Sequence, residues 1–332
     1  MRQAPSWVSV LAVAMVAAGC AGSSIRPTVP EPVRPTPELL ERGNYLVNSV
    51  AACGVCHTPR AGESWLGGER TDAFLGGGSV LRDEGAGLRI VAPNISQDRA
   101  TGVGAWTDDQ LVRAIRDGVS HDGRLMTPLM PFLAWQAMSD DDARAIVVYL
   151  RTTPAVERPI SRAGDQIGFT TRMAIRMGAV HHRPARDVRA PNRADQRATG
   201  AYLAKVGLCW HCHSLGEGGP TDDADILMSG SRVPFEDPDY GKVYARNLTP
   251  DRETGLGGYS AEQIKRALRT GRRLDGLAMA PPMSLLIPHV STWTDEDLDA
   301  LIAYLAALPP ISYRPPEPTL TPATRAIMMT AP

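Results

Sequence analysis

The sequence predicts an all-α protein made of two tandem copies of one small domain, each a few short helices. Three observations predict this. A self-comparison of the 332 residues finds a long internal repeat at an offset that drifts only between 153 and 157. Four helix starts carry a polar cap with an amide or acidic residue three positions on: Thr107…Gln110, Ser139…Asp142, Ser260…Gln263 and Thr294…Asp297. The last helix of each copy has apolar residues at helical spacing, Ile146, Tyr149 and Leu150 in one, Leu298, Leu301, Ile302 and Leu305 in the other. Pro154 and Pro309 then stop them.

Along the chain, residues 1–19 carry Arg2 as their one charge and an apolar run from Trp7 to Ala18, too short to span a membrane and ending in small residues, as a secretory signal does. Ala17-Ala18-Gly19-Cys20 resembles a bacterial lipoprotein signal, with Ala17 where that pattern more often has leucine, so Cys20 is the expected lipidated residue. Residues 20–37 hold five prolines and no apolar periodicity and are expected to form an extended tether. The first domain is expected over 38–155, an Arg-rich linker over 156–195, the second domain over 196–310 and a Pro-rich tail over 311–332. Within the linker a short helix is expected near Phe169–Met177, with Met173 and Met177 at i and i+4 on one packed face. The formal net charge is −1, which gives no electrostatic case for nucleic acid.

The repeat carries its chemistry in two pentapeptides, CGVCH at Cys53–His57 and CWHCH at Cys209–His213. Each presents two thiols that can add to the vinyl groups of a haem and an imidazole that reaches its iron. A redox dithiol or half of a zinc site would not need a histidine directly after the second cysteine, and both copies have one. Four of the five cysteines, Cys53, Cys56, Cys209 and Cys212, are consumed by two covalent haem c groups, and Cys20 has its own explanation. With four phenylalanines in the chain, much of each core should be the porphyrin itself, so the apo-protein should fold poorly. Haem is attached to such motifs outside the bacterial cytoplasm, which agrees with export to the periplasm.

His57 and His213 are the fifth ligands. The sixth should come from the loop before the last helix, Met126-Thr127-Pro128-Leu129-Met130-Pro131 in one copy and Met279-Ala280-Pro281-Pro282-Met283-Ser284 in the other. Met126 corresponds to Met279 and Met130 to Met283 under the same offset, so the arithmetic does not choose between the pairs. His289 is a rival in the second copy.

Each half resembles a class I cytochrome c domain, in which an N-terminal helix runs into the haem motif and a C-terminal helix crosses back over it. In that family a glycine on the first helix admits an aromatic of the last, and Gly43 with Tyr149 and Gly200 with Tyr304 match those positions. The resemblance implies Met130 and Met283 as sixth ligands. Residues 38–310 as a whole resemble tandem diheme cytochromes related to the cytochrome subunits of membrane-bound alcohol dehydrogenases. Those subunits carry three haems and a membrane anchor, whereas this chain has two motifs.

Methionine sulfur favours Fe(II), and two filled axial positions leave no open site for a substrate. The expected function is electron transfer, from a donor such as a dehydrogenase to a downstream acceptor, with no catalytic residue. The alternative is a diheme peroxidase or other haem oxidoreductase with one open haem, which would need an acid–base group beside that haem. No such added constellation is visible. A gas sensor is a weaker third reading.

Overall fold

The computed structural model describes residues 32–330 apart from 63, 84–86, 179, 181–186, 218 and 274. Cys20, the 1–19 segment, most of the tether and the His181-His182 pair lie outside the described residues.

In the first half, α1 (Pro37–Tyr45) is capped by Thr36, whose hydroxyl accepts from the Leu39 amide, and has proline at its first position. It continues through one π-turn, Leu46–Val50, to Ala52 in the left-handed region (φ 49°), which swings the chain into α2 (Cys53–His57). A hairpin of β1 (Val80–Asp83) and β2 (Leu88–Val91) follows, then α3 (Asp108–Asp117), α4 (Phe132–Trp135) and α5 (Asp140–Leu150). Beyond these lie β3 (Gln166–Ile167) and α6 (Phe169–Arg176). The second half repeats the plan as α7 (Gln196–Val206), α8 (Cys209–His213), a β4–β5 hairpin (Leu215–Gly216, Gly219–Pro220), β6 (Phe235–Asp237), β7 (Gly241–Val243), α9 (Ala261–Thr270), α10 (Met283–Val290), α11 (Asp295–Ala306), β8 (Thr319–Leu320) and α12 (Pro322–Thr330). Leu208, at φ 66°, makes the same left-handed step into α8.

The expectation of an all-α fold is corrected here: three small antiparallel sheets stand beside the helices, ordered β1-β2-β3, β4-β5 and β6-β7-β8. The strands are two to four residues long, too short for a period-2 pattern to stand out in the sequence. Two of the sheets also have a remote third strand. Leu88 pairs with Ile167, and Gly241 with Leu320. The stretches expected to be linker and tail therefore begin alike, each adding an edge strand and a helix to the half before it.

All four predicted caps are present. Thr107 and Ser260 form complete capping boxes with Gln110 and Gln263. Ser139 and Thr294 accept from the amides of Asp142 and Asp297, but these two carboxylates do not turn back to close a box. Tyr202 takes that place on α5: its hydroxyl accepts from the Ser139 amide at 3.1 Å and donates to Asp142 at 2.6 Å. Tyr45 does the same on α11, accepting from the Thr294 amide at 3.0 Å and donating to Asp297 at 2.9 Å. Each half thus caps the last helix of the other.

The two halves share one apolar core, which runs from Leu46, Val47 and Ile146 to Leu203, Leu298 and Leu301. Helix α1 crosses α5, and α7 crosses α11, at glycines. A Cβ on Gly43 would run into the backbone carbonyl of Ala145 and lie 2.8 Å from Tyr149 Cβ. On Gly200 it would strike Ala300 and lie 2.6 Å from Tyr304 Cβ. Two buried tryptophans stitch the seam, Trp135 Nε1 donating to Val206 O at 3.0 Å and Trp293 Nε1 to Ser49 O at 3.1 Å. Both acceptors lie just ahead of the cysteine helices α8 and α2.

Candidate functional site

The two candidate sites are built around α2 and α8. His57 Nδ1 lies 2.9 Å from the Pro93 carbonyl, and His213 Nδ1 lies 2.6 Å from the Arg246 carbonyl. A carbonyl can only accept, so each Nδ1 carries the proton and each Nε2 keeps its lone pair. Neither Nε2 has a protein hydrogen-bond partner among the described residues. Burial lowers both imidazole pKa values, only partly offset by the carbonyl, and keeps the rings neutral. A neutral ring oriented through its second nitrogen is what a metal-ligating histidine requires.

The carbonyls that hold these rings are themselves held. Asn94, next to Pro93, donates from Nδ2 to Val156 O at 2.7 Å and accepts from the Ser96 amide at 2.9 Å. Asn247, next to Arg246, makes the same bonds to Ile311 O at 2.7 Å and the Thr249 amide at 2.9 Å. The backbone of each histidine is tied as well: Gly77 N donates to His57 O at 2.7 Å and Gly230 N to His213 O at 2.8 Å. Asn94-Ile95-Ser96 and Asn247-Leu248-Thr249 lie 153 residues apart, at the offset of the internal repeat, and their role comes from this geometry. Backbone acceptors such as Pro93 O leave no mark on side-chain identity.

Cys53, Cys56, Cys209 and Cys212 form no disulfide, are half-buried, and stand in two pairs that do not converge on one metal centre among the described residues. Burial pushes them up, to about 12 for Cys53 and Cys212 and about 11 for Cys56 and Cys209, so they are neutral thiols at physiological pH. A reactive dithiol needs the opposite shift. The donor set, thiol pairs in an apolar setting beside a neutral imidazole with a free Nε2, fits covalent haem.

The loops expected to supply sixth ligands are also alike. The amides of Met126 and Met279 donate to Gly118 O and Gly271 O, both at 2.8 Å, where α3 and α9 end in left-handed glycines. Met130 is half-buried against the shared core, and Met283, also half-buried, opens α10. His289, the rival, has both ring nitrogens turned to the first half: Nδ1 donates to Asn48 O at 2.7 Å and Nε2 sits 3.7 Å from Glu69 Oε1. His121 is exposed and stacks on Trp106 at 4.3 Å. His211, between the cysteines of α8, is held neutral by burial, its pKa lowered to about 4.

No protein-family model matches this chain. Relatives named as cytochromes nonetheless match most of it. The gluconate 2-dehydrogenase cytochrome c subunit of Pantoea cypripedii is 28% identical over 284 residues, 81% of this chain and 59% of that protein. The fructose dehydrogenase cytochrome subunit of Gluconobacter japonicus is 27% identical over 299 residues, 87% of this chain and 57% of that protein. A diheme cytochrome c-type protein of Cereibacter sphaeroides is 27% identical over 294 residues, 84% of this chain and 92% of that protein. The chain spans a little under three fifths of the two dehydrogenase subunits and nearly all of the diheme cytochrome. These relatives imply covalently bound haem c. Among the described residues, no helix is long and apolar enough to cross a membrane.

Proposed function

We propose that this chain is an electron-transfer cytochrome carrying two covalent haem c groups, one in each half, which accepts electrons from a dehydrogenase and delivers them to a downstream acceptor. The observation that carries the reading is the twofold occurrence of one arrangement: a Cys-x-x-Cys-His helix whose imidazole is tied through Nδ1 to a carbonyl, leaving Nε2 for iron. Cys53 and Cys56 would hold one haem and Cys209 and Cys212 the other, with His57 and Met130, and His213 and Met283, as the axial pairs. When bound, haem c supplies one-electron redox chemistry at iron. The Pro93 and Arg246 carbonyls orient the rings and keep Nδ1 protonated. The reciprocal tyrosine caps and the two tryptophans hold the halves in one fixed relation.

The units proposed to carry the haems are residues 38–155 and 196–310. Export is proposed to follow from the 1–19 signal to the periplasm, with Cys20 lipidated. Radiolabelled palmitate appearing in the wild-type chain but not in Cys20→Ser would support that anchor, and equal label in both would refute it.

The purified chain should give two haems per polypeptide by pyridine haemochrome assay, low-spin spectra at both, and two one-electron steps on potentiometric titration. A high-spin ferric haem with peroxide turnover would refute the carrier reading in favour of an enzyme with one open haem.

A further inference from the structure

The segment 156–195 holds eight arginines against four acidic residues, in a chain whose formal net charge is −1. Within it α6 was expected to turn Met173 and Met177 onto a packed face. In the structure no residue of α6 is buried, and Phe169 and Met177 are 78% and 77% exposed. At 100° per residue, Arg172, Arg176, Phe169, Met173 and Met177 fall in one sector, with the arginines on one flank and the apolar side chains on the other. The opposite side carries the half-buried Thr171, Ala174 and Ile175. Neither Arg172 nor Arg176 has an ion-pair partner among the described residues. The helix is held from its start, where the Gly168 amide donates to Gly87 O at 2.9 Å and β3 pairs with β2, so the sector is presented on a fixed base.

We propose that this face of α6 rests on an anionic lipid surface, with Phe169 and Met177 entering the headgroup boundary, the half-buried Met173 lying between them, and Arg172 and Arg176 meeting lipid phosphates. An apolar stripe flanked by cations is the pattern of a helix lying in the plane of an interface. The arginine excess of the surrounding segment adds attraction to a negatively charged leaflet. Charge complementarity singles out α6. Its counterpart α12 also exposes Ile327 and Met329, at 47% and 66%, but carries one arginine, Arg325.

The test uses the full haem-loaded chain with Cys20→Ser, so that no acyl chain contributes, in sedimentation with vesicles of phosphatidylcholine alone or mixed with phosphatidylglycerol. The chain should sediment with the anionic vesicles, and high salt should release it. In the same background R172E/R176E should weaken anionic-vesicle binding by about tenfold or more, and F169S/M177S should weaken it while leaving the salt dependence. Unchanged haem spectra and circular dichroism would show that both variants fold. Absence of anionic-vesicle binding, or equal binding by the variants, overturns the proposal. Slower reduction by the donor dehydrogenase in R172E/R176E without any vesicle effect assigns the face to a protein partner and overturns it too.

Discussion

Tyr45→Phe removes one oxygen that serves both halves at once. The hydroxyl accepts from the Thr294 amide at 3.0 Å and donates to Asp297 at 2.9 Å. Asp297 is 1% exposed, and its remaining charged partner, Arg193 at 2.5 Å, has a side chain 57% exposed to solvent. Loss of a cap bond costs about 0.5–2 kcal/mol, and loss of a hydrogen bond to a buried charge about 1.5–3 kcal/mol. The two losses overlap at one atom, so the net is about 2–3 kcal/mol. Tyr202→Phe should cost less, about 1–2 kcal/mol, because Arg42 still holds Asp142 through Nε at 2.8 Å and Nη2 at 2.7 Å. At roughly 2–4 °C per kcal/mol for a chain of this size, Tyr45→Phe should lower the melting temperature of the holo-protein by about 4–12 °C. Circular dichroism and Soret absorbance, recorded together, read this out. The double variant should also separate the unfolding of the halves into two steps, since each phenol caps a helix of the opposite half. A melting temperature within about 1 °C of wild type for both single variants would refute the reciprocal-cap reasoning.

Met130→His should lower the potential of one haem and leave both haems covalently attached, checked by redox titration and mass; an unchanged titration would remove Met130 from the ligand set. Gly200→Ala should destabilise by roughly 1–3 kcal/mol or more, because the α7–α11 crossing has no room for a methyl group; a denaturant midpoint equal to wild type would contradict the close crossing. The His289–Glu69 pair should make stability depend on pH. Burial acts to lower the His289 pKa but is outweighed by Glu69 and the Asn48 carbonyl, so it lies above its ordinary 6.5, while His289 lowers Glu69 below its ordinary 4.5. The histidine contribution is full below 6.5 and fades as pH rises through the raised value. The glutamate contribution is present above 4.5 and fades as pH falls through the lowered one. Melting temperature should therefore drop from pH 6 to pH 8 by more in wild type than in His289→Gln, and equal slopes would show that the pair carries no coupling.

Local chemistry was legible where one residue type does one job. The pentapeptides and the four caps could be read from single positions, because a cap hydroxyl acts within its own turn, whereas the glycine–tyrosine crossings came from the resemblance to class I cytochrome c domains. The sheets were not legible, since β3 and β8 are two residues long and find partners far along the chain. Asp142 and Asp297 mark the limit most clearly. Their position after Ser139 and Thr294 suits a capping box, and nothing local says that a tyrosine from the other half takes over the box while the carboxylate holds that tyrosine. The histidine-orienting carbonyls were equally hidden, although the repeated Asn94 and Asn247 stood beside them.

That exchange of caps bears on why the duplication stays together as one body. If each half closed its own last helix, the halves could separate without uncapping α5 and α11. Here separation would strip the Ser139 and Thr294 amides of their acceptors and leave two buried carboxylates short of a donor. It would also leave the indoles of Trp135 and Trp293 without the carbonyls that precede α8 and α2. Polar groups of this kind penalise a small displacement as well as full separation, because hydrogen bonds weaken steeply with distance and angle. The seam therefore sets position and orientation together. Both cysteine helices start within a few residues of its tryptophan contacts, so whatever they carry is held at one separation, the condition under which electron exchange between two centres has a single rate.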